Sequence, residues 1–251
     1  YSFFRSDATW SIQGGKSLVV VNYVPDRDFS DPLGLNTQSS SLYVLNTIDK
    51  NDPVLLFSTI KENSWTTTIP AFAFSQDEKV LVWIFDNDGD SQNLAMYINT
   101  LDPIENPGSE SALQDFALPP QRNSSCSNRI SSMKLNKDNS LVLFADCDLL
   151  IYNINDLTLP LFESSYNLDT SKTIGLVLSQ DDKILYHFGL DLNGKKQLQI
   201  LDISSPKHPK LLSSLAIEQH DSQEEAITSF ELSPNGKLIY IGFQNGVLMI
   251  D

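Results

Sequence analysis

Apolar and polar positions alternate along most of the chain in short runs, and clusters of Asp, Asn, Gly, Ser and Pro separate the runs. Alternation of this kind predicts strands with opposite faces in different surroundings, and the turn formers between them predict sharp reversals. No stretch keeps a sustained helical period. One element recurs, a short apolar strand that runs into Asp or Asn and then a Pro-bearing turn. Its copies are LYVLNTIDKNDP at 42–53, LAMYINTLDP at 94–103, LLIYNINDLTLP at 149–160, LQILDISSPKHP at 198–209 and a shorter VLMID at 247–251. They begin at residues 42, 94, 149, 198 and 247, which is 52, 55, 49 and 49 residues apart.

A second marker recurs upstream of each copy. A strand ends in a polar turn and restarts as an apolar run, at 13–16, 75–79, 136–139, 179–183 and 233–237. Asp, Asn, Gly and Pro there supply the backbone conformations of a hairpin. Each period then holds four strands, lettered A to D: A before the hairpin, B after it, C the recurring element, D after the Pro. The A strands are expected at 69–74, 130–135, 173–178 and 227–232, and the D strands at 54–60, 111–117, 161–168 and 210–217. A period near 50 made only of strands is the pattern of a β-propeller of four-stranded antiparallel blades. About five blades are predicted, at 7–60, 66–118, 129–168, 172–217 and 226–251, forming one domain. Residues 1–6 read as the D strand of a preceding blade or of the blade that closes a five-bladed ring. Since no D strand follows the last C strand, the chain is expected to belong to something longer.

The B strands should carry the core, because Val19, Val21, Leu81, Trp83, Leu143, Leu185 and Ile239 sit at alternate positions in runs apolar on both faces. The C-strand element, clearest in LQILDISSPKHPKLL at 198–212, resembles the LVIVD-repeat family of β-propeller proteins. The resemblance spans the chain in five copies; the second departs from it, with Asn99 in place of Asp and a longer loop at 103–107. It implies a scaffold or binding role on a surface or secreted protein, and it brings no catalytic residues.

Composition changes the picture in two ways. With 41% hydrophobic residues the chain can fill the spaces between stacked sheets. No apolar run approaches the roughly 20 residues that span a bilayer as a helix. The net charge of −15 argues against a nucleic-acid partner, whose binding draws on Lys and Arg against phosphate. In a propeller the B–C and D–A connections share one face. The B–C connections here hold Asp26, Asp28, Asp31, Asp86, Asp88, Asp90, Asp146, Asp148 and Asp191, and the D–A linkers add Glu62, Asp169, Asp221, Glu224 and Glu225. That face is expected to be electronegative, either as a solvated rim or as a docking surface for a cation or a basic protein.

Asp86, Asp88, Asp90 and Asn93 form the sharpest local motif. Carboxylates at alternate positions around Gly89 can converge on Ca²⁺, which takes six to eight oxygens. A helix-loop-helix calcium site would need Gly at Ser91 and Glu at Tyr97, so a plain hairpin loop is the competing reading. The chain should require no cofactor, Ca²⁺ at this loop being the one candidate. His187, His208 and His220 fall in a B strand, a C–D turn and a D–A linker, without the close pairing that sets a zinc site. His187, between Tyr186 and Phe188, reads as a packed strand residue. No nucleophile elbow or phosphate-binding glycine loop is present. Trp10 and Trp83 lie in strands, and Trp65 alone falls in a linker.

The function expected is non-catalytic: a propeller scaffold that presents acidic loops to protein partners, within a larger surface or extracellular protein or assembly. The alternative is a metal-dependent hydrolase or lactonase-like enzyme with its site at the channel mouth. Cys126 and Cys147 are the only cysteines and flank the third A–B hairpin. Counting outward from a turn at 136–139 puts Cys147 opposite Asn128, two residues from Cys126. A disulfide between them would place the domain in an extracellular, cell-surface or lumenal compartment, and the Asn123 glycosylation acceptor points the same way. Intact-mass measurement after alkylation without reductant checks this. The expected result is no added mass; two alkylated thiols refute the bridge.

Overall fold

A computed structural model describes residues 18–23, 40–46, 54–61, 71–75, 79–86, 94–100, 116–117, 132–138, 140–145, 147–157, 159–217, 227–243 and 246–251. The chain divides into two compact units, Tyr1–Pro119 and Pro120–Asp251. In the first, β1 (Leu18–Tyr23), β2 (Ser40–Asn46) and β3 (Val54–Lys61) form one antiparallel sheet. β4 (Ala71–Phe74), β5 (Val80–Asp86), β6 (Leu94–Thr100) and β7 (Phe116–Ala117) form another. The second unit holds three sheets. They are β8 (Ser132–Leu135) to β11 (Leu161–Asn167) through β9 (Leu141–Ala145) and β10 (Asp148–Asn153); β12 (Thr170–Leu178) to β15 (Lys210–Ala216) through β13 (Ile184–Asp191) and β14 (Lys196–Asp202); and β16 (Ile227–Leu232), β17 (Ile239–Phe243) and β18 (Gly246–Ile250). Within each sheet every strand pairs with its neighbour in sequence; three sheets are the A-to-D meander that the repeat predicts, while among the described residues β1 to β3 supply B to D and β16 to β18 supply A to C.

One device closes four A–B hairpins. Ser75, Ser179 and Ser233 each donate their backbone N–H to the carbonyl five residues on, at 2.8, 2.9 and 2.7 Å. Each hydroxyl accepts the N–H of that same residue, from Val80 at 2.8 Å, Ile184 at 3.0 Å and Leu238 at 2.8 Å. In the latter two turns the hydroxyl also donates at 2.7 Å to the side chain two residues ahead, Asp181 or Asn235. Asn136 does this work with an amide: Oδ1 accepts from Leu141 N–H at 2.7 Å, and Nδ2 donates to Asp138 at 2.6 Å. The loop therefore has one length in all four. In the third hairpin this corrects the counting above, because Leu135 faces Val142 and the ladder shifts by two residues. Cys147 no longer falls opposite Asn128 by extension of that ladder.

The C strands end in a second shared device. Asn153 and Asp202 accept the N–H two residues on, at 3.0 and 2.9 Å. The intervening Ile154 and Ile203, 0% and 2% exposed, bond to the carbonyls of Ser140 and Lys183 at 2.8 Å. The Asx-Ile step of the repeat thus turns the chain and plugs the core at once. A bulge near the start of three D strands, β3, β11 and β15, also recurs, between the partners of Val44/Leu45, Ile151/Tyr152 and Ile200/Leu201.

In the second unit, successive sheets bury their faces on each other. Leu143, Leu149 and Ile151 of one meet Leu176, Leu185, Leu201 and Ile203 of the next. The opposite face of that sheet puts Val177, Phe188 and Leu198 against Phe230, Ile239 and Ile241. Gly175 is needed here, since a Cβ would stand 3.0 Å from the Phe230 ring. β12 lies against both β8 and β16, so the A strands are where the three sheets converge. In the first unit Trp83 stacks on its cross-strand partner Tyr97, with centroids 4.3 Å apart and planes at 17°. Leu81, Trp83, Leu143, Leu185 and Ile239 are buried as expected, and Val19 and Val21 lie in β1. Leu143 is fully buried between two sheets, so Leu143→Ala should cost about 2–5 kcal/mol. A urea midpoint equal to the parent's would refute the packing.

Candidate functional site

Three polar side chains cross the buried face of the β12–β15 sheet in a line. β13 places His187 opposite Gln199 of β14 and next to Leu176 of β12 in register. Gln199 Nε2 donates to the carbonyl of Leu168 at 2.8 Å, which leaves Oε1 to accept from His187 Nδ1 at 3.0 Å. The proton is thus assigned to Nδ1, and Nε2 accepts from Thr173 Oγ1 at 2.9 Å. Thr173, His187 and Gln199 are 1%, 0% and 4% exposed. Burial pushes the imidazole down to about 4, so the ring is neutral at neutral pH. Gly189 makes room for the line: a Cβ there would stand 2.5 Å from the Lys172 carbonyl and 2.9 Å from His187 Cε1. His187 is a packed strand residue, as expected. Thr173 and Gln199 were missed, although Gln199 interrupts an apolar run and the register counted from the 191–195 turn sets it opposite His187.

Several of the described acidic residues build turns. Asp191 Oδ1 accepts N–H groups from Asn193 and Lys195, both at 2.8 Å, closing a B–C turn in which Gly194 takes φ +78°. Those donors, Lys195 first, hold its carboxyl below the ordinary carboxylate value. At the other end of the sheets, hydroxyl and N–H donors lower Asp138 (Ser140 first), Asp181 (Ser179 first) and Asp202 (Ser204 first) in the same way. Asp182 differs. Desolvation raises it, opposed by the Lys137 N–H that donates to Oδ2 at 2.6 Å, and its φ is +57°. That bond ties the A–B turn of one sheet to that of the next, and Gln180 Nε2 repeats the tie to the carbonyl of Pro234.

These placements amend the acidic-face expectation. Asp148 opens β10 and is 9% exposed, so it belongs to the buried strand and not to a solvated loop. In the second unit, ionised carboxylates also stand at the A–B and C–D turns, through Asp138, Asp181 and Asp202. Cys147 is 1% exposed and disulfide-bonded. Asp26, Asp28, Asp31, Asp88, Asp90, Asn93, Asn123, Cys126 and Asp146 lie outside the described residues, and only the backbone of Asp86, at the end of β5, falls within them. Trp10, Trp65 and His220 also lie outside them. Among the described residues, no three His, Cys, Asp or Glu side chains gather as a metal site. No helix among them is long and apolar enough to cross a membrane.

No protein-family model and no characterised protein matches the sequence, so the LVIVD resemblance rests on the strand residues that carry it. Solved structures do match. A protein from Lactobacillus plantarum has a TM-score of 0.62 at 13% identity, over 96% of this chain and 69% of that one. A Bacteroides fragilis protein, provisionally named a 6-phosphogluconolactonase, has a TM-score of 0.59 at 10% identity, over 96% and 75%. Kuenenia stuttgartiensis hydrazine synthase has a TM-score of 0.56 at 12% identity over 82% of this chain, which spans about half, 52%, of that one. The likeness is one of fold: all-β, with antiparallel sheets of the β-propeller kind.

The buried imidazole sets a pH dependence. Its folded value, about 4, lies below the ordinary 6.5, so between them the unfolded chain binds more protons. Stability is full above pH 6.5 and falls as pH drops towards 4, by about 3 kcal/mol in all at 1.36 kcal/mol per unit. The lowered carboxylates titrate below 3.8 and act under this window. Urea unfolding from pH 7 to 4.5 should show the slope in the parent and lose it in His187→Gln; the same slope in both would contradict the assignment.

Proposed function

We propose that the chain is a non-catalytic β-propeller scaffold that presents ionised loop carboxylates to a protein partner with a basic surface, as part of a larger surface or extracellular protein or assembly. The observation that carries this reading is the state of the described acids. Asp138, Asp181, Asp191 and Asp202 are each lowered by donors of their own turns, so they stay charged and are held at fixed positions. Fixed charge on short turns of a −15 chain raises the encounter rate with a basic partner and selects against an acidic one. The blades are read as a ring with the A strands innermost, a reading supported by the convergence of β8, β12 and β16.

Two finer parts belong to the same proposal. The bridge is assigned to Cys126 and Cys147, supported by the bonded state of Cys147 and by the absence of any third cysteine. It fits an oxidising compartment, where Asn123 could carry a glycan. Ca²⁺ at Asp86, Asp88, Asp90 and Asn93 is retained for its donor chemistry alone.

A second reading, a metal-dependent lactonase-like hydrolase, is favoured by the name of the Bacteroides fragilis protein. Elemental analysis of the purified chain, with a lactone and phosphoester panel, separates the two. The scaffold reading expects no turnover, and affinity capture that weakens as salt is raised. Stoichiometric Zn²⁺ or Ca²⁺ together with turnover would install the enzyme reading instead.

A further inference from the structure

Two Asn-Gly steps lie within the described residues, Asn193–Gly194 in a B–C turn and Asn235–Gly236 in an A–B turn. Both asparagines are exposed, and both glycines take a left-handed backbone, at φ +78° and +70°. In each, the glycine N–H donates to the carbonyl three residues back, that of Asp191 at 3.0 Å or Ser233 at 2.8 Å. Beyond the chain neighbours, nothing lies within 4 Å of where a Cβ would stand on either glycine. By dipeptide, exposure and backbone the two steps are alike.

They differ in what holds the Asn side chain. Asn235 Oδ1 accepts from Ser233 Oγ at 2.7 Å and from the Lys237 N–H at 3.1 Å. The second donor is a backbone N–H, so it fixes which end of the amide is the oxygen. Two donors on a carbonyl oxygen draw charge from its carbon, and they stand where an oxyanion forms when a nucleophile adds there. Asn193 sits instead beside a carboxylate. Asp191 Oδ1 accepts its backbone N–H at 2.8 Å, and its side-chain amide donates to the same carboxyl. A negative charge so close opposes both an oxyanion on Asn193 and loss of the Gly194 proton.

We propose that Asn235 is a site of spontaneous deamidation, favoured over Asn193 by the two donors on its side-chain oxygen. The bond from Gly236 N–H to the Ser233 carbonyl opens, and the Gly236 nitrogen gives its proton to water and adds to Asn235 Cγ. The Cγ–Nδ2 bond breaks, ammonia leaves with a proton returned by water, and a succinimide ring remains. A further water opens the ring. Attack at Cγ yields aspartate; attack at the main-chain carbonyl yields isoaspartate, whose backbone runs through Cβ and is longer by one atom. Aspartate suits the turn, since Asp181 at the corresponding place accepts from Ser179 Oγ and the Lys183 N–H in the same pattern. Isoaspartate does not, because the added atom lies inside the loop that Ser233 closes onto Leu238.

Peptide mapping by mass, after incubation of the whole chain at mildly alkaline pH, reads each site against the other in one sample. Asn235 should gain acid roughly tenfold faster than Asn193, the effect of one hydrogen bond on a rate. In denaturing urea, where neither set of contacts survives, the two rates should converge. Asp191→Asn keeps an acceptor in the B–C turn but removes its charge, and it should speed the reaction at Asn193. A protease that cuts before aspartate and not before isoaspartate divides the two products at Asn235. Equal rates in the folded chain overturn the proposal, as does a faster reaction at Asn193. So does a rate ratio that persists in urea, an Asn193 indifferent to Asp191→Asn, or a folded chain in which Asn235 gains no acid while the unfolded chain does.

Discussion

Hairpin register is the constraint on which the described sheets depend. A capping side chain that bonds the backbone five residues on allows one loop length, and loop length sets which residues face each other across the A and B strands. Because side chains alternate with period two, a slip of one residue would exchange the two faces of a strand. In β13 it would swap Leu185 for Tyr186 at one inter-sheet cluster and drive His187 off Thr173 and Gln199. Leaving such buried polar groups unpaired costs about 1–3 kcal/mol each. Ser75, Asn136, Ser179 and Ser233 therefore govern packing well beyond their own turns.

The sheets of the second unit are held to one another by two unlike means. Leucine, isoleucine and phenylalanine side chains fill the space between faces, without direction. At the turns, the bonds from Lys137 to Asp182 and from Gln180 to Pro234 are directional and link each sheet to the next. Ser164 and Lys207 add similar links, to Pro206 and Glu163. Apolar burial supplies most of the stabilisation; the polar ties fix how one sheet is rotated on another. The cost is visible in Asp182, whose carboxyl is raised by desolvation and whose backbone takes a left-handed conformation.

Function follows from how these polar groups are employed. His187 is committed to strand pairing and Asp138, Asp181, Asp191 and Asp202 to turn closure, which leaves turns carrying charge at set positions. The scaffold role proposed above would draw on this arrangement, because a preset surface limits the ordering lost on binding. β15 stands apart in that Leu211, Leu212 and Leu215 are exposed on an edge strand.

The strand order, the hairpins and the apolar core positions were legible in the sequence because they depend on local pattern. Alternation over a few residues, turn formers at the ends and a period near 50 determine a repeated four-stranded meander, and the expected bounds of β16 match those observed. What tertiary structure decided needed more than one strand at a time. Asn136 reads as a turn residue, yet its amide closes a four-residue loop and moves the ladder by two. Asp148 reads as loop charge, yet neighbouring strands bury it. His187 reads as a packed residue, but its neutral state and the position of its proton come from Thr173 and Gln199, which cross-strand register brings to it. Local pattern sets what each segment prefers to be; burial and partner choice arise only when distant segments share a face, and those determine the charge state and the chemistry of each side chain.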